Sequence, residues 1–234
     1  MKKSIALLGT TLLTSTTLLG SLGAFADTIQ PDPSTAKTPV TAELTINQTP
    51  EKPTPPTEPG EGGGDQGTDI TGLFGIAYAP QSLSGRKELG TSGSEEVDLT
   101  NNKATGNKFN VGVQDKTRKN DQDWTLKAQL SWDNDDNGYM DGTTITATGG
   151  NVKENQNGNL VDLSNAEVTT SASNLTISQD SEVEVMKSSV GKTMNGVYNY
   201  QFSSPKLVIP EVSKVAEGTY SGNITWNLEN TPSI

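Results

Sequence analysis

Cysteine and histidine are both missing from this chain of 234 residues. Without cysteine there are no disulfides, thiolate zinc sites or cysteine nucleophiles, so the fold depends on its core alone even outside the cell. Without histidine the commonest general base and the usual zinc ligand are gone. Basic residues are scarce too, with 17 Lys and Arg against 28 Asp and Glu, a net charge of −11. They are not clustered, and phosphate binding depends on clustered Lys and Arg, so nucleic acid is not expected as a partner. Aromatic residues make up only 5% of the chain, three of them Trp, which makes the placement of each one informative.

Beyond the N-terminus no segment is long or apolar enough to span a bilayer. The N-terminus itself reads as a secretory leader. Lys2 and Lys3 precede an apolar and Thr/Ser stretch from Ile5 to Leu22, and Ala24-Phe25-Ala26 supplies the small residues a signal peptidase needs. Cleavage after Ala26 is expected, leaving 28 acidic against 15 basic residues and a net charge of −13. Thr231-Pro232-Ser233-Ile234 carries no sorting motif, hydrophobic stop or basic tail. Attachment to a surface is therefore expected to be non-covalent.

Residues 27–68 read as a Pro/Gly-rich disordered arm or linker. Eight of the 12 prolines fall there, followed by Gly60-Glu61-Gly62-Gly63-Gly64-Asp65-Gln66-Gly67. Such a stretch lacks the apolar surface to offset its ordering entropy. One exception is Val40-Thr41-Ala42-Glu43-Leu44-Thr45-Ile46, whose alternation suits a strand able to pair with an edge of the domain or of a partner.

From residue 69 to 234 the pattern is one all-β domain, with no window of helical periodicity. Apolar and polar residues alternate strictly from Trp124 to Trp132, placing Trp124, Leu126, Ala128, Leu130 and Trp132 on one face. Tyr220, Ile224, Trp226 and Leu228 share one face of a second such strand. Further strands are expected at 73–78, 108–114, 143–148, 167–172, 174–178, 182–186, 197–202 and 206–209, with turns at Asn137-Gly138, Gly149-Gly150-Asn151 and Gly158-Asn159. Short strands with frequent turns predict a two-sheet antiparallel sandwich with Greek-key or jelly-roll crossings. A hairpin between 124–132 and 143–148 is expected, whereas 210–218 is too long for a tight turn.

The two tryptophan strands carry a family resemblance. Trp124-Thr125-Leu126, with Asp115 upstream, and the distal set Tyr220, Ile224, Thr225, Trp226, Leu228 and Pro232 resemble the paired motifs of WxL-domain proteins of Gram-positive bacterial surfaces. The resemblance covers about residues 69–234. It implies a non-enzymatic secreted protein attached to the cell wall, with peptidoglycan as ligand. It also implies assembly with other WxL proteins and a membrane-bound WxL-interacting protein. Trp124, Leu126, Tyr220, Thr225, Trp226, Leu228 and Pro232 are the motif or ligand-binding candidates. Tryptophan and leucine on the apolar face of a strand belong in a sandwich core. Trp124 begins its strand and Trp226 lies near the end of its own, so either indole has access to a rim where it can stack on a sugar. Neighbouring Asp123, Asn227 and Asn230 are the polar candidates.

Between the expected hairpin strands runs Asp133-Asn134-Asp135-Asp136-Asn137-Gly138-Tyr139-Met140-Asp141-Gly142. Asp133, Asp135, Asn137, the Tyr139 carbonyl and Asp141 imitate the first nine positions of a calcium loop, but the twelfth position is Thr144 rather than Glu or Asp. Turn chemistry alone also favours these residues. No cofactor is expected, and calcium is the alternative reading of this loop. Two other functions are weighed against wall binding. One is a structural or adhesive component binding host matrix or another surface protein through a domain edge or the arm. The other is a carboxylate hydrolase of wall glycans, which needs two suitably spaced acids that nothing in the sequence pairs.

Overall fold

The computed structural model describes residues 30–57, 60–104 and 106–230. The expected signal peptide and Pro232 lie outside the described residues. The chain divides into two compact units, Met1–Thr45 and Ile46–Ile234. In the first, residues 30–45 contain no strand or helix and every one is exposed.

The second unit is all β. Its strands are β1 Asp65–Gly67, β2 Phe74–Pro80, β3 Glu95–Asp98, β4 Lys108–Asp115, β5 Trp124–Trp132, β6 Thr144–Gln156, β7 Asn159–Val161, β8 Val168–Thr169, β9 Leu175–Ile177, β10 Val183–Ser188, β11 Gly196–Ile209 and β12 Gly222–Asn230. A single 3-10 turn at Val212–Lys214 is the helical exception among the described residues. Two antiparallel sheets result. The larger runs β1-β2-β4-β11-β6-β7, with β3 also pairing β11 and β9 also pairing β6; the smaller runs β12-β5-β10-β8. Apolar alternation explains the division: Phe109, Val111 and Val113 of β4 and Tyr198, Tyr200 and Phe202 of β11 meet Trp124, Leu126, Ala128 and Leu130 of β5 in one core.

The expected sandwich is therefore present, but several local readings change. β5 and β6 form no hairpin, because they belong to different sheets and the Asp-rich segment carries the chain across. Residues 197–202 and 206–209 are one strand, β11, which continues through a distortion at Ser204 and Pro205 and takes β3 as a partner beyond it. Gly149-Gly150 is not a turn but a bulge within β6 facing that distortion, with register shifts between Gln201 and Lys206. Glycine is required at 150, since a Cβ there would stand 1.9 Å from the Ala172 carbonyl oxygen. Strands β1 and β3 carry too few apolar residues to signal themselves, and β7, with three residues, is too short to show a period.

The larger correction concerns the arm. Residues 46–68 belong to the second unit, and β1 is a strand of its larger sheet. Between Thr54 and Asp65 the described residues hydrogen-bond to the sheet's outer face. Thr57 N–H donates to the Gly158 carbonyl (3.1 Å), and Asn155 Nδ2 donates to the Thr54 carbonyl (2.8 Å). Asn110 Nδ2 donates to the Glu61 carbonyl (2.6 Å) and to the Asp65 carboxylate (2.8 Å), which also accepts from Asn110 N–H (2.9 Å). Gln201 Nε2 reaches both the Glu61 carbonyl (3.1 Å) and its carboxylate (2.8 Å). Amide side chains hold the stretch, in which Pro56 is the one buried residue with an apolar side chain among those described, which is why its composition reads as a linker.

Candidate functional site

The smaller sheet places the motif residues. β12 pairs β5 in unbroken antiparallel register, from Gly222 opposite Trp132 to Asn230 opposite Trp124. Trp226 thus lies opposite Ala128 and Leu228 opposite Leu126. The two motif segments, distant in sequence, are neighbouring strands.

Two of the three tryptophans, Trp124 and Trp226, anchor this sheet to the aromatic row of β11. Trp124 lies 6.2 Å from the Tyr198 ring and Trp226 lies 6.2 Å from the Phe202 ring. Trp124 and Leu126 are both 0% exposed. Trp124 is therefore not at a rim, although it begins its strand, because β12 and β10 flank it on either side. Trp226 and Leu228 are half-buried and packed on the same core, while Thr225 points to solvent. Among the polar candidates, Asn227 Nδ2 donates to Glu182 (2.9 Å) beside a Lys127–Glu229 ion pair (2.7 Å) on the outer face. Asn230 is exposed.

Antiparallel pairing also dictates what sits at the far end of these strands: the segment leaving β5 must lie beside the segment entering β12. Asp133 N–H donates to the Ser221 carbonyl (2.8 Å), zipping the two together. Between them opens a cleft of about 350 Å³ lined by Asp133, Asn134, Asp135, Asn137 and Tyr139 on one side and residues 216–221 on the other. Tyr139 and Tyr220 meet edge to face across it, with ring centroids 6.3 Å apart. Tyr220 donates its hydroxyl to the Ala216 carbonyl (2.7 Å). Partial burial, then the neighbouring Tyr139 and Asp135, push the Tyr220 phenol up, so it stays protonated. The structure thus joins two signals that stood apart in the sequence, Tyr220 of the distal motif and the Asp-rich loop. Ala216 to Gly218, including Glu217, carried no signal of their own, and Thr219 and Tyr220, which the alternation assigns to the strand, stand ahead of β12 because it begins at Gly222.

Inside the loop, Asp135 serves the backbone. One carboxylate oxygen accepts from Tyr139 N–H (2.9 Å) and the other from Met140 N–H (2.8 Å). Asp133 accepts from Asn223 Nδ2 (3.4 Å). A Cβ added at Gly138, where φ is +65°, would meet the Asp141 carboxylate. Among the described residues no three Asp, Glu, Cys or His side chains gather as a metal-binding group. The loop is held by Asx-type hydrogen bonds of the kind that close turns.

What the cleft offers is two phenol rings, two amide side chains and carboxylates, with no Lys or Arg in its lining. Rings present apolar faces to a flat ligand, while amides donate to and accept from hydroxyl and amide groups and carboxylates accept from them. Phosphate would be repelled.

No curated protein and no solved structure matches this chain. Residues 31–232 match the family described as WxL domain surface cell wall-binding. That match begins well before residue 69 and includes the segment read as a linker, in keeping with the hydrogen bonds that tie residues 54–65 to the sheet. Spanning nearly the whole sequence, it makes this chain a member of the WxL family of cell-surface, cell-wall-binding proteins.

Proposed function

We propose that this wall-associated surface protein is secreted, is not an enzyme, and is held non-covalently by peptidoglycan, which it contacts at the cleft between Asp133–Tyr139 and residues 216–221. The observation that carries this reading is the convergence of Tyr220 and Tyr139 with Asn134, Asn137 and Asp133 in one open recess. Amino-sugar rings have apolar faces for the phenols and hydroxyl and acetamido groups for the amides and carboxylates. The acidic lining and the overall negative charge favour glycan or stem peptide over anionic phosphate polymers. In this reading the tryptophans do not touch sugar; they fix the register that builds the cleft. The protein acts within a surface complex containing other WxL proteins and a membrane-bound WxL-interacting partner, as the family resemblance implies.

The test is retention on isolated walls stripped of teichoic acid and protein. Wild type is expected to be retained, and Tyr220→Ala to bind at least tenfold more weakly with unchanged near-UV circular dichroism, because Tyr220 lies outside the core. Equal retention of a folded Tyr220→Ala would remove the cleft from the proposal. If wild type washes through, peptidoglycan is not the ligand.

A further inference from the structure

The sheet edges of this protein are unequal. Most are short: β1, β7 and β9 have three residues each, β8 has two and β3 has four. Short edges offer little template for further pairing. β12 is different. It runs for nine residues, pairs with β5 alone among the described residues, and shows no bulge. Its sequence, Gly222-Asn223-Ile224-Thr225-Trp226-Asn227-Leu228-Glu229-Asn230, contains no Pro or Lys and a single charge. Of the devices that normally blunt an edge strand, short length, Pro, Lys and a bulge are all missing from it.

The core is also incomplete on this side. On β5 the inward residues Leu126, Ala128 and Leu130 are at most 3% exposed, while their register partners on β12, Leu228, Trp226 and Ile224, are all half-buried. A further strand beside β12 would cover them if it carried apolar side chains at alternate positions.

Among the described residues, one unpaired segment fits that description. Val40, Ala42, Leu44 and Ile46 alternate with Thr41, Glu43 and Thr45. It forms no strand, and Val40 and Leu44 are 87% and 91% exposed, far beyond any other large hydrophobic residue described. Seven extended residues span about 23 Å, within the length of a nine-residue strand. We infer that residues 40–46 of a second copy of this chain add as a strand to the free edge of β12. Main-chain hydrogen bonds along the edge supply affinity, and Val40 and Leu44 supply register by covering Ile224, Trp226 and Leu228. Because donor and acceptor lie in the same chain, the interaction propagates from copy to copy.

The experiment is sedimentation velocity on the chain from residue 27 onward, as wild type and as Leu44→Asp. Amide hydrogen exchange over 222–230 is followed with and without a synthetic peptide of residues 38–48. Wild type is expected to self-associate with rising concentration, and Leu44→Asp to do so at least tenfold more weakly with its fold intact, since Leu44 is exposed. The peptide is expected to dissolve the wild-type assembly while keeping the β12 amides protected, and its Leu44→Asp counterpart to do neither. The inference is overturned if wild type stays monomeric at all concentrations, if Leu44→Asp associates like wild type, or if the peptide fails to slow exchange over 222–230 in the dissociated Leu44→Asp protein. A monomer whose own residues 40–46 are protected overturns it as well, since pairing would then lie within one chain.

Discussion

The two faces of β11 are buried by opposite means. On the inner face Tyr198, Tyr200 and Phe202 pack against Trp124, Trp226 and Phe109. On the outer face Asn199 and Gln201 join Asn110, Asn155 and Tyr78 in a hydrogen-bonded layer closed by the segment around Glu61 and Asp65. Tyr78 donates to Asn199 (2.9 Å) and accepts from Asn155 (2.9 Å); Asn199 Nδ2 donates to Asn110 (2.9 Å). Asn110 and Asn199 are as buried as Trp124. Burial therefore need not be apolar. Hydrophobic packing is non-directional and tolerates adjustment, whereas an amide layer holds only while each donor and acceptor keeps its partner.

The strongest way to break the inner face is Trp124→Ala. Removing a fully buried indole is expected to cost about 3–5 kcal/mol. That is enough to shift the urea midpoint severely and abolish near-UV circular dichroism. A marginal shift would mean that the tryptophan rows do not hold the sheets together.

On the outer face, Asn110→Ala is expected to cost about 1–3 kcal/mol, because it removes at once one of the two donors to the Glu61 carbonyl, the side-chain donor to the Asp65 carboxylate and the acceptor of Asn199 Nδ2. The inner core is untouched, so the loss should be local. Limited proteolysis between residues 57 and 65 should accelerate at least tenfold while near-UV dichroism stays native. Unchanged cleavage would show that the segment is held by something other than these amides.

The smallest effect separates the two faces by acidity, because carboxyl groups are found in the polar layer and not in the aromatic one. Burial pushes the Asp65 carboxyl up to about 6, outweighing the two hydrogen bonds from Asn110 that act in the opposite direction. With its folded value raised above the ordinary carboxylate value, Asp65 favours the native state fully below about pH 4, and that contribution is lost as pH rises through about 6. Glu61 works oppositely, because the Gln201 hydrogen bond, followed by Lys108, holds its carboxyl low. The Asp65 contribution is therefore read as a difference. Relative to Asp65→Asn, wild-type stability should decline between pH 4 and pH 6 in urea titrations. Parallel profiles for the two proteins would remove Asp65 from the balance.

Strand β5 was legible to the residue, because nine residues alternate with no exception and nothing in the fold interrupts them. β11 was not, because Pro205 and the left-handed Ser204 look like a chain break. The break vanishes only when β6 supplies a matching bulge from about fifty residues away. The motif residues were readable as a pattern, but their division into buried Trp124 and half-buried Trp226 was not. That depends on β5 being central and β12 being an edge. The cleft was half legible: Tyr220 and the Asp-rich loop each drew attention, yet nothing local says that they meet.

By itself the sequence determined the class of fold, since a period of two in apolar residues leaves only half-buried strands, and it carried the WxL pattern over fixed spacings. It also settled that no thiol or imidazole chemistry is available. The tertiary structure decided which strands became neighbours, and through that pairing the cleft, the free edge of β12 and the ordering of residues 54–65. The physical reason is the same in each case. Local pattern reports which face of a segment avoids water, but hydrogen-bond partners across sheets and between distant segments are chosen only when the whole chain closes on its core.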